Sequence, residues 1–486
     1  MFLGIDIGTS AVKSVVIDGS GDVVATGTAP LAVSRPRPNW SEQDPADWWA
    51  AVSASVCALP AETRRRSRAV GLTGQMHGAT LLGADDQILR PAMLWNDGRS
   101  GAECAALQAA EPAFLSRGGN LVMPGFTAPK LEWVRRHEPD IFAKTHKVLL
   151  PKDYVRLCMT GTYASDMSDA AGTLWMDVAQ RQWAEPLLQA CGLEPSHMPT
   201  LFEGPAVTGS LRPAVAEAWG LDPVPVVAGG SDNAAGALGA GATGDGDTIL
   251  SLGTSGVIFT TLSTYRSNPA SAVHAFCHAL PDRWHLMSVM LSAASCLTWA
   301  CRVTRTSSVG DLLQLAEQAY NPRAELIFLP YLSGERTPHN NADARGVFVG
   351  LTHETGPGDL ANAVLEGVAF GLMDGFEALL ETGVAVDALS VIGGGAMSAH
   401  WGRLLSATLR RPLLYREDGA VGPALGAARL ARFGTGDADL AEAFTAPDCR
   451  AVVEPEADLT ELLGERRLRF RTLYDKLRFT FEGTST

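Results

Sequence analysis

At 486 residues the chain exceeds the size at which one hydrophobic core keeps growing, so two or three domains are expected. Hydrophobic residues at 46% and charged residues at 19% exclude a disordered chain, and a net charge of −14 without a basic stripe excludes nucleic acid as the main partner. The eight cysteines have no metal-ligand or redox spacing, which fits reduced thiols in a cytoplasmic protein.

Residues 2–7 and 12–17 are short β-branched runs around Gly8-Thr9-Ser10, the pattern of strand, tight turn and strand. The first run is short and carries Asp6, so no signal peptide is expected. The densest basic stretches, "TRRRSR" (63–68) and "ERRLRFR" (465–471), are expected as solvated helix faces. "GLTGQMHGATLL" (71–82) and "PAMLWNDGRS" (91–100) bracket a turn and bring polar groups near an aromatic ring and a thioether. That mixture suits a polyol, whose hydroxyls face hydrogen-bonding groups while its carbon face packs on apolar atoms. Met76, His77, Trp95, Asn96 and Asp97 are the candidates; each also fits a core or supporting position, and for Trp95 the core position is favoured.

The apolar run 224–228 reads as a strand, Gly229-Gly230 as a turn, and Asn233 onward as a helix. Asp232 therefore falls at a helix N-terminus, where the dipole favours its ionised form, or where it serves simply as the N-cap. "GALGAGATGDGD" (236–247) has the composition of a hinge or linker. Residues 248–252 and 257–262 then repeat the hairpin around Gly253-Thr254-Ser255-Gly256, and the duplication implies two domains with the same core topology. His274, Cys277 and His278 would share one face of a helix, but no fourth metal ligand follows at a sensible spacing. Residues 285–301 are uncharged, too short and too rich in Ser and Thr for a membrane span, and are expected as a buried helix. Asp359 is placed to cap a helix with an apolar face from Leu360 to Leu380, and "LSVIGGG" (389–395) reads as the next strand. Ser398 caps a further helix, "PLLYR" (412–416) is a strand, "PALGAARLARF" (423–433) a helix, and 459–477 a terminal helix.

A turn of Gly with Thr and Ser offers close backbone approach, free N–H groups and hydroxyl donors, which suit phosphate oxygens. Two copies, one per domain, would hold a nucleotide's phosphates from both sides of a cleft. Asp6 shares a face with Gly4 and Gly8, and a carboxylate beside phosphates is repulsive unless Mg²⁺ lies between them. Neither a P-loop, nor G-x-S-x-G, nor H-E-x-x-H occurs, and "GAGATG" (239–244) follows a helical stretch rather than a strand.

The paired hairpins, followed by "IGGGAMS" (392–398), resemble the actin-like ATPase fold shared by sugar kinases, Hsp70 chaperones and actin. The resemblance implies an α/β, ribonuclease H-like architecture of two duplicated mixed-sheet cores with an ATP and sugar cleft between them. "GFTAPKLEWVRRH" (125–137) and "LSGERTPHNNADARGVFVGL" (332–351) resemble the two signatures of the FGGY carbohydrate kinases, in order, and the likeness weakens only after about residue 435. "GQMHG", "LWNDGR", "LLPKDYVRL" and "SDMSDAAGT" are similar to the xylulose-phosphorylating bacterial members of that family.

What the resemblance implies is an N-terminal domain over 1–243, a C-terminal domain over 244–486, and conversion of ATP and D-xylulose to ADP and D-xylulose 5-phosphate. It makes Asp232 the catalytic base, with Asp6 holding Mg-ATP, directly or through water. Met76, His77, Trp95, Asp232 and Asn233 would bind sugar. Gly8, Thr9, Ser10, Lys13, Gly253 and Thr254 would hold phosphates, and Gly394 and Gly395 adenosine. A cytoplasmic enzyme with a small-molecule substrate, no membrane or nucleic acid and a homodimeric assembly is expected. Ribulose, gluconate or glycerol are the alternative substrates, and a conformational ATPase the reading from another class.

Overall fold

The computed structural model describes residues 1–393, 398–416 and 422–481. The first repeat forms an antiparallel hairpin, Phe2–Ile7 with Ala11–Ile17, in which Asp6 stands opposite Lys13. It lies inside a seven-stranded mixed sheet. The order is Val207–Ser210, Pro225–Val227, Val70–Gly74, Phe2–Ile7, Ala11–Ile17 and Val23–Pro30, with Gly230–Ser231 also paired to Val70–Gly74. Alternation along the first strand explains why nearly every residue is apolar or small: both faces are covered. Leu3, Ile5 and Ile7 pack on Trp48, Val52 and Val56 of the helix Pro45–Cys57, while Phe2 packs on the helix Pro423–Gly434.

The second repeat, Thr248–Leu252 with Gly256–Leu262, sits in another seven-stranded sheet. As in the first sheet, the leading strand of the hairpin pairs in parallel with a later strand, here Leu389–Ile392. The helix Pro357–Leu380 is buried along almost its whole length against this sheet, and Ser398 caps the helix Ala399–Leu409 through the N–H of Trp401.

Helix Pro423–Gly434 comes late in the chain yet closes the first sheet and packs on the helix Asp232–Gly239, so the two halves of the sequence interlock. The approach depends on Gly426, where a Cβ would stand 1.8 Å from the carbonyl oxygen of Ala235. Asn120 adds a second link, exchanging two hydrogen bonds with the backbone of Ala275, at 2.9 and 3.1 Å.

Several expectations are corrected. Residues 285–301 are not one helix: Trp284–Met290 is a strand in register with Gly256–Leu262, and a helix begins only at Ala294. His274–Cys277 is likewise a strand, so His274 and Cys277 point to opposite faces, and no metal-holding group of three such side chains occurs among the described residues. Asp359 is not the cap of its helix. It sits in the first turn and accepts the N–H of the capping Gly356 at 2.9 Å. The first third of the supposed linker 236–247 belongs to the helix Asp232–Gly239, and Asp247 braces the remainder by accepting the N–H groups of Thr243 and Gly244.

The stretch 465–471 is not a wholly solvated face. Arg466 binds Glu366, and Arg467 binds Asp374 and Glu377. Glu366 and Asp374 are buried on the helix Pro357–Leu380 and draw the guanidinium groups inward, because a buried carboxylate needs a partner. This terminal helix, Ala457–Phe481, packs on its own lobe through Leu463, Phe470 and Tyr474. Among the described residues no helix is long and apolar enough to cross a membrane.

Candidate active site

The strand Pro225–Val227 ends at a sharp corner. Gly229 has φ +83°, and a Cβ there would lie 1.9 Å from the carbonyl oxygen of Leu72, so the turn accepts only glycine. Ser231 then caps the helix Asp232–Gly239, which makes Asp232 its first residue rather than its cap. The Asp232 carboxylate accepts from the backbone N–H of Asn233 at 2.7 Å and from its side-chain amide at 2.9 Å. Those bonds favour ionisation, yet burial outweighs them and pushes the carboxyl up to about 6. The helix terminus alone does not keep this group at an ordinary carboxylate value, a correction to the expectation drawn from the dipole.

Asp6 is the last residue but one of the first strand and lies close enough to Asp232 for the two charges to interact. Burial, and then the charge of Asp232, push its carboxyl up to about 8, with Lys13 pulling the other way. Its Oδ1 is buried with no hydrogen-bond partner among the described residues. An orphaned acceptor beside a second carboxylate fits a hydrated divalent cation. Mg²⁺ is commonly held by one or two carboxylates together with a substrate's phosphates and waters.

Asp232 and Asn233 open into a cavity of about 250 Å³ that Met76, His77 and Trp95 also line. His77 holds φ +69°, a strained backbone for a residue with a Cβ. Its Nδ1 lies 2.7 Å from the carbonyl oxygen of Gly172. A carbonyl only accepts, so Nδ1 carries the proton and Nε2 is left as an acceptor. Burial, then Lys130, push the ring down to about 3, so it is neutral at physiological pH. Trp95 is 42% exposed, and its Nε1 donates to Thr9 Oγ1 at 3.0 Å, so it stands at the rim rather than in the core position favoured above. Asn96 is exposed and outside the lining, while Asp97 is buried and committed to the N–H of Ser41 and to Arg99.

The two Gly-Thr-Ser turns border this cavity from opposite sheets, the first through the Thr9–Trp95 bond and the second through Ser255, which lines it. Ser10 and Thr254 are exposed. The Thr9 hydroxyl donates to Gln75 while accepting from Trp95, so it ties the turn to the rim and is no free donor. The N–H groups of Gly8 and Gly253 close their own turns onto Ala11 and Ser255. Lys13 lies partly buried opposite Asp6. Gly394 and Gly395 lie outside the described residues.

Sequence reasoning missed Arg336, His274 and Phe126 as lining residues. Arg336 Nη1 is 3.4 Å from His274 Nε2, and Phe126 meets the His77 ring edge-on at 4.8 Å. Arg336 and Phe126 lie within the two quoted signatures, which was the available signal. Lys130, in the first signature, was missed as well. Its buried Nζ has no carboxylate within ion-pair distance among the described residues and donates to the carbonyls of His77 at 2.9 Å and Gly125 at 2.7 Å, both lining residues. Burial pushes its amine down to about 7, and a neutral amine still has two N–H groups for those two carbonyls.

The family model "FGGY family of carbohydrate kinases, N-terminal domain" matches residues 1–239, and the corresponding C-terminal model matches residues 248–434. A xylulose kinase of Escherichia coli (strain K12) is 53% identical over 98% of this chain and 99% of its own length. One of Klebsiella pneumoniae is 55% identical over 90% of each. Among solved structures, a xyloylose kinase from Brucella ovis superposes with a TM-score of 0.95 at 46% identity, covering 99% of both chains.

Proposed function

The chain belongs to the FGGY family of carbohydrate kinases, and from that premise we propose that it transfers the γ-phosphoryl group of ATP to D-xylulose, giving D-xylulose 5-phosphate. The observation that carries this reading is the cavity itself. It holds a carboxyl pushed up to about 6, an acceptor imidazole nitrogen and a thioether, and it is bordered by both phosphate-type turns. The relatives named above supply the choice of xylulose over ribulose, gluconate or glycerol.

Asp232 acts as the base. At neutral pH it is ionised, with a pKa close enough to accept the sugar hydroxyl's proton as the bond to phosphorus forms. In-line transfer through a loose transition state asks mainly for positioning and charge neutralisation. His77 Nε2 accepts from one sugar hydroxyl, the Asn233 amide and Arg336 donate to others, and Met76 and Phe126 cover the carbon face. Trp95, held by Thr9, closes the rim beside the first turn. Asp6 would hold Mg²⁺, and Lys13, opposite Asp6 in the hairpin, would face the phosphates. That ion supplies neutralisation of the β- and γ-phosphate charge when bound.

In this reading the halves 1–243 and 244–486 are two lobes that contribute one turn each. The eight cysteines are all unpaired, which suits the reducing cytoplasm, and the family resemblance adds a homodimer that sedimentation velocity would test. The reaction is tested by phosphorus and carbon NMR of the product formed from ATP and D-xylulose. Phosphate on O5 is expected; phosphate on another hydroxyl, or none on the sugar, contradicts the assignment.

A further inference from the structure

Behind the corner that carries Asp232 lies a buried charged cluster with no part in the reaction as described. Lys152 Nζ stands 2.5 Å from Asp153, 2.8 Å from Asp166 Oδ1 and 3.4 Å from Asp169. Asp166 caps the short helix Met167–Ala171. Its Oδ2 accepts the backbone N–H of Ser168 at 2.7 Å and the Ser168 hydroxyl at 2.5 Å. With its proton committed to Asp166, the Ser168 oxygen keeps lone pairs, and one accepts the N–H of Ser231 at 2.9 Å. Ser231 is the residue before Asp232. On the other side of the Gly229-Gly230 turn, Arg156 donates to the carbonyl of Ala228 and to Thr208 Oγ1. The Asp153 and Asp166 charges act on Arg156 as well. Both ends of the turn that presents Asp232 are therefore bonded to side chains of one buried cluster.

We infer that Ser168, oriented by Asp166 and Lys152, is a positioning residue for Asp232, fixing the peptide that precedes it. The inference rests on the proposed role of Asp232 as the base. Ser168 touches neither the cavity nor a reacting atom; it acts through the Ser231 N–H. Ser168, Asp166, Lys152 and Ser231 itself are buried, so a slack peptide at Ser231 has no water to bond and must shift to find another acceptor. A shift of that kind moves the base relative to the bound hydroxyl. A cluster serving stability alone would close on itself, whereas this one places one bond on each side of the turn.

The test compares Ser168→Ala, which removes the acceptor, with Ser168→Thr, which keeps it, using whichever sugar the wild type turns over. Ser168→Ala should lower kcat about 10- to 100-fold, the order expected for a misplacement of about 1 Å, with the sugar Kd within about threefold of wild type. Ser168→Thr should restore kcat to within a few-fold. Wild-type kcat in Ser168→Ala, or a loss felt equally in sugar Kd, overturns the inference. If Ser168→Ala does not stay folded, Ser168→Cys, near in size and a poor acceptor, takes its place with the same expectations. Hydrogen exchange over 229–235 in the unliganded protein gives a reading free of activity: faster exchange in the Ala variant is expected, and unchanged exchange contradicts the bond's role. A wild type that phosphorylates no sugar would defeat the proposed function, while the exchange result would still decide whether Ser168 holds Ser231.

Discussion

Burial places the Asp232 carboxyl at about 6, and this single environmental effect sets the expected pH dependence. With Asp232 as the proposed base, its ionised form is lost as pH falls through that value, so kcat/KM should rise up to pH about 6 and then level. Asp232→Asn should abolish that acid limb and lower kcat by at least about 100-fold, while xylulose binding, measured by calorimetry, weakens far less. Asp6 gives a different signature. Its carboxyl is raised from an ordinary 3.8 to about 8, so the folded state holds its proton more tightly than the unfolded chain. That contribution is complete below pH 4 and is lost as pH rises through 8. Thermal melts of the unliganded protein should show Asp6→Asn gaining on wild type as pH climbs from 4 to 8, and Mg-ATP should raise the wild-type Tm more than the variant's. A variant-minus-wild-type Tm that falls with rising pH contradicts the account. Asp6, Asp232 and the Met76-His77 pair could be picked out because acids and polar groups interrupt apolar runs there. Their protonation could not be read, since it depends on burial from distant elements.

The hairpins, the corner before Asp232 and the cap at Ser398 follow from local chemistry: β-branched runs, glycine at positive φ, and a hydroxyl before an apolar face. Residues 285–301 did not, because an uncharged stretch carries little period, and pairing with Gly256–Leu262 decides that the first part is extended. Arg336 and His274 reach the cavity from elements 62 residues apart, which spacing alone does not connect. The helix Thr127–His137 serves the site by bringing Lys130 onto the carbonyl of the strained His77. Lys130→Met leaves the Gly125 carbonyl without that donor and His77 with Thr127 alone. Steady-state kinetics should show the xylulose KM raised about tenfold, near 1.4 kcal/mol, with the ATP KM unchanged. An equal rise in both would place Lys130 in general stability instead.

At the scale of the whole molecule, duplicated mixed sheets set one Gly-Thr-Ser turn on each side of a cleft, and the helix Pro423–Gly434 returns to bind the first lobe after the chain has built the second. Duplication was legible because the same phrase occurs twice. The return crossing was not, since nothing local in 423–434 names the sheet it covers, and Gly394 and Gly395, expected to hold adenosine, fall outside the described residues. Transfer to a sugar rather than water calls for closure of that cleft. Solution scattering should give a smaller radius of gyration with D-xylulose and a non-hydrolysable ATP analogue than without them; identical dimensions would remove closure from the account. The most direct measurement is ADP release from Mg-ATP in the presence of D-xylulose, D-ribulose, L-ribulose, gluconate or glycerol. The account predicts strong stimulation by D-xylulose above the rest. Equal or greater stimulation by another of these, or ADP release indifferent to sugar, would contradict it.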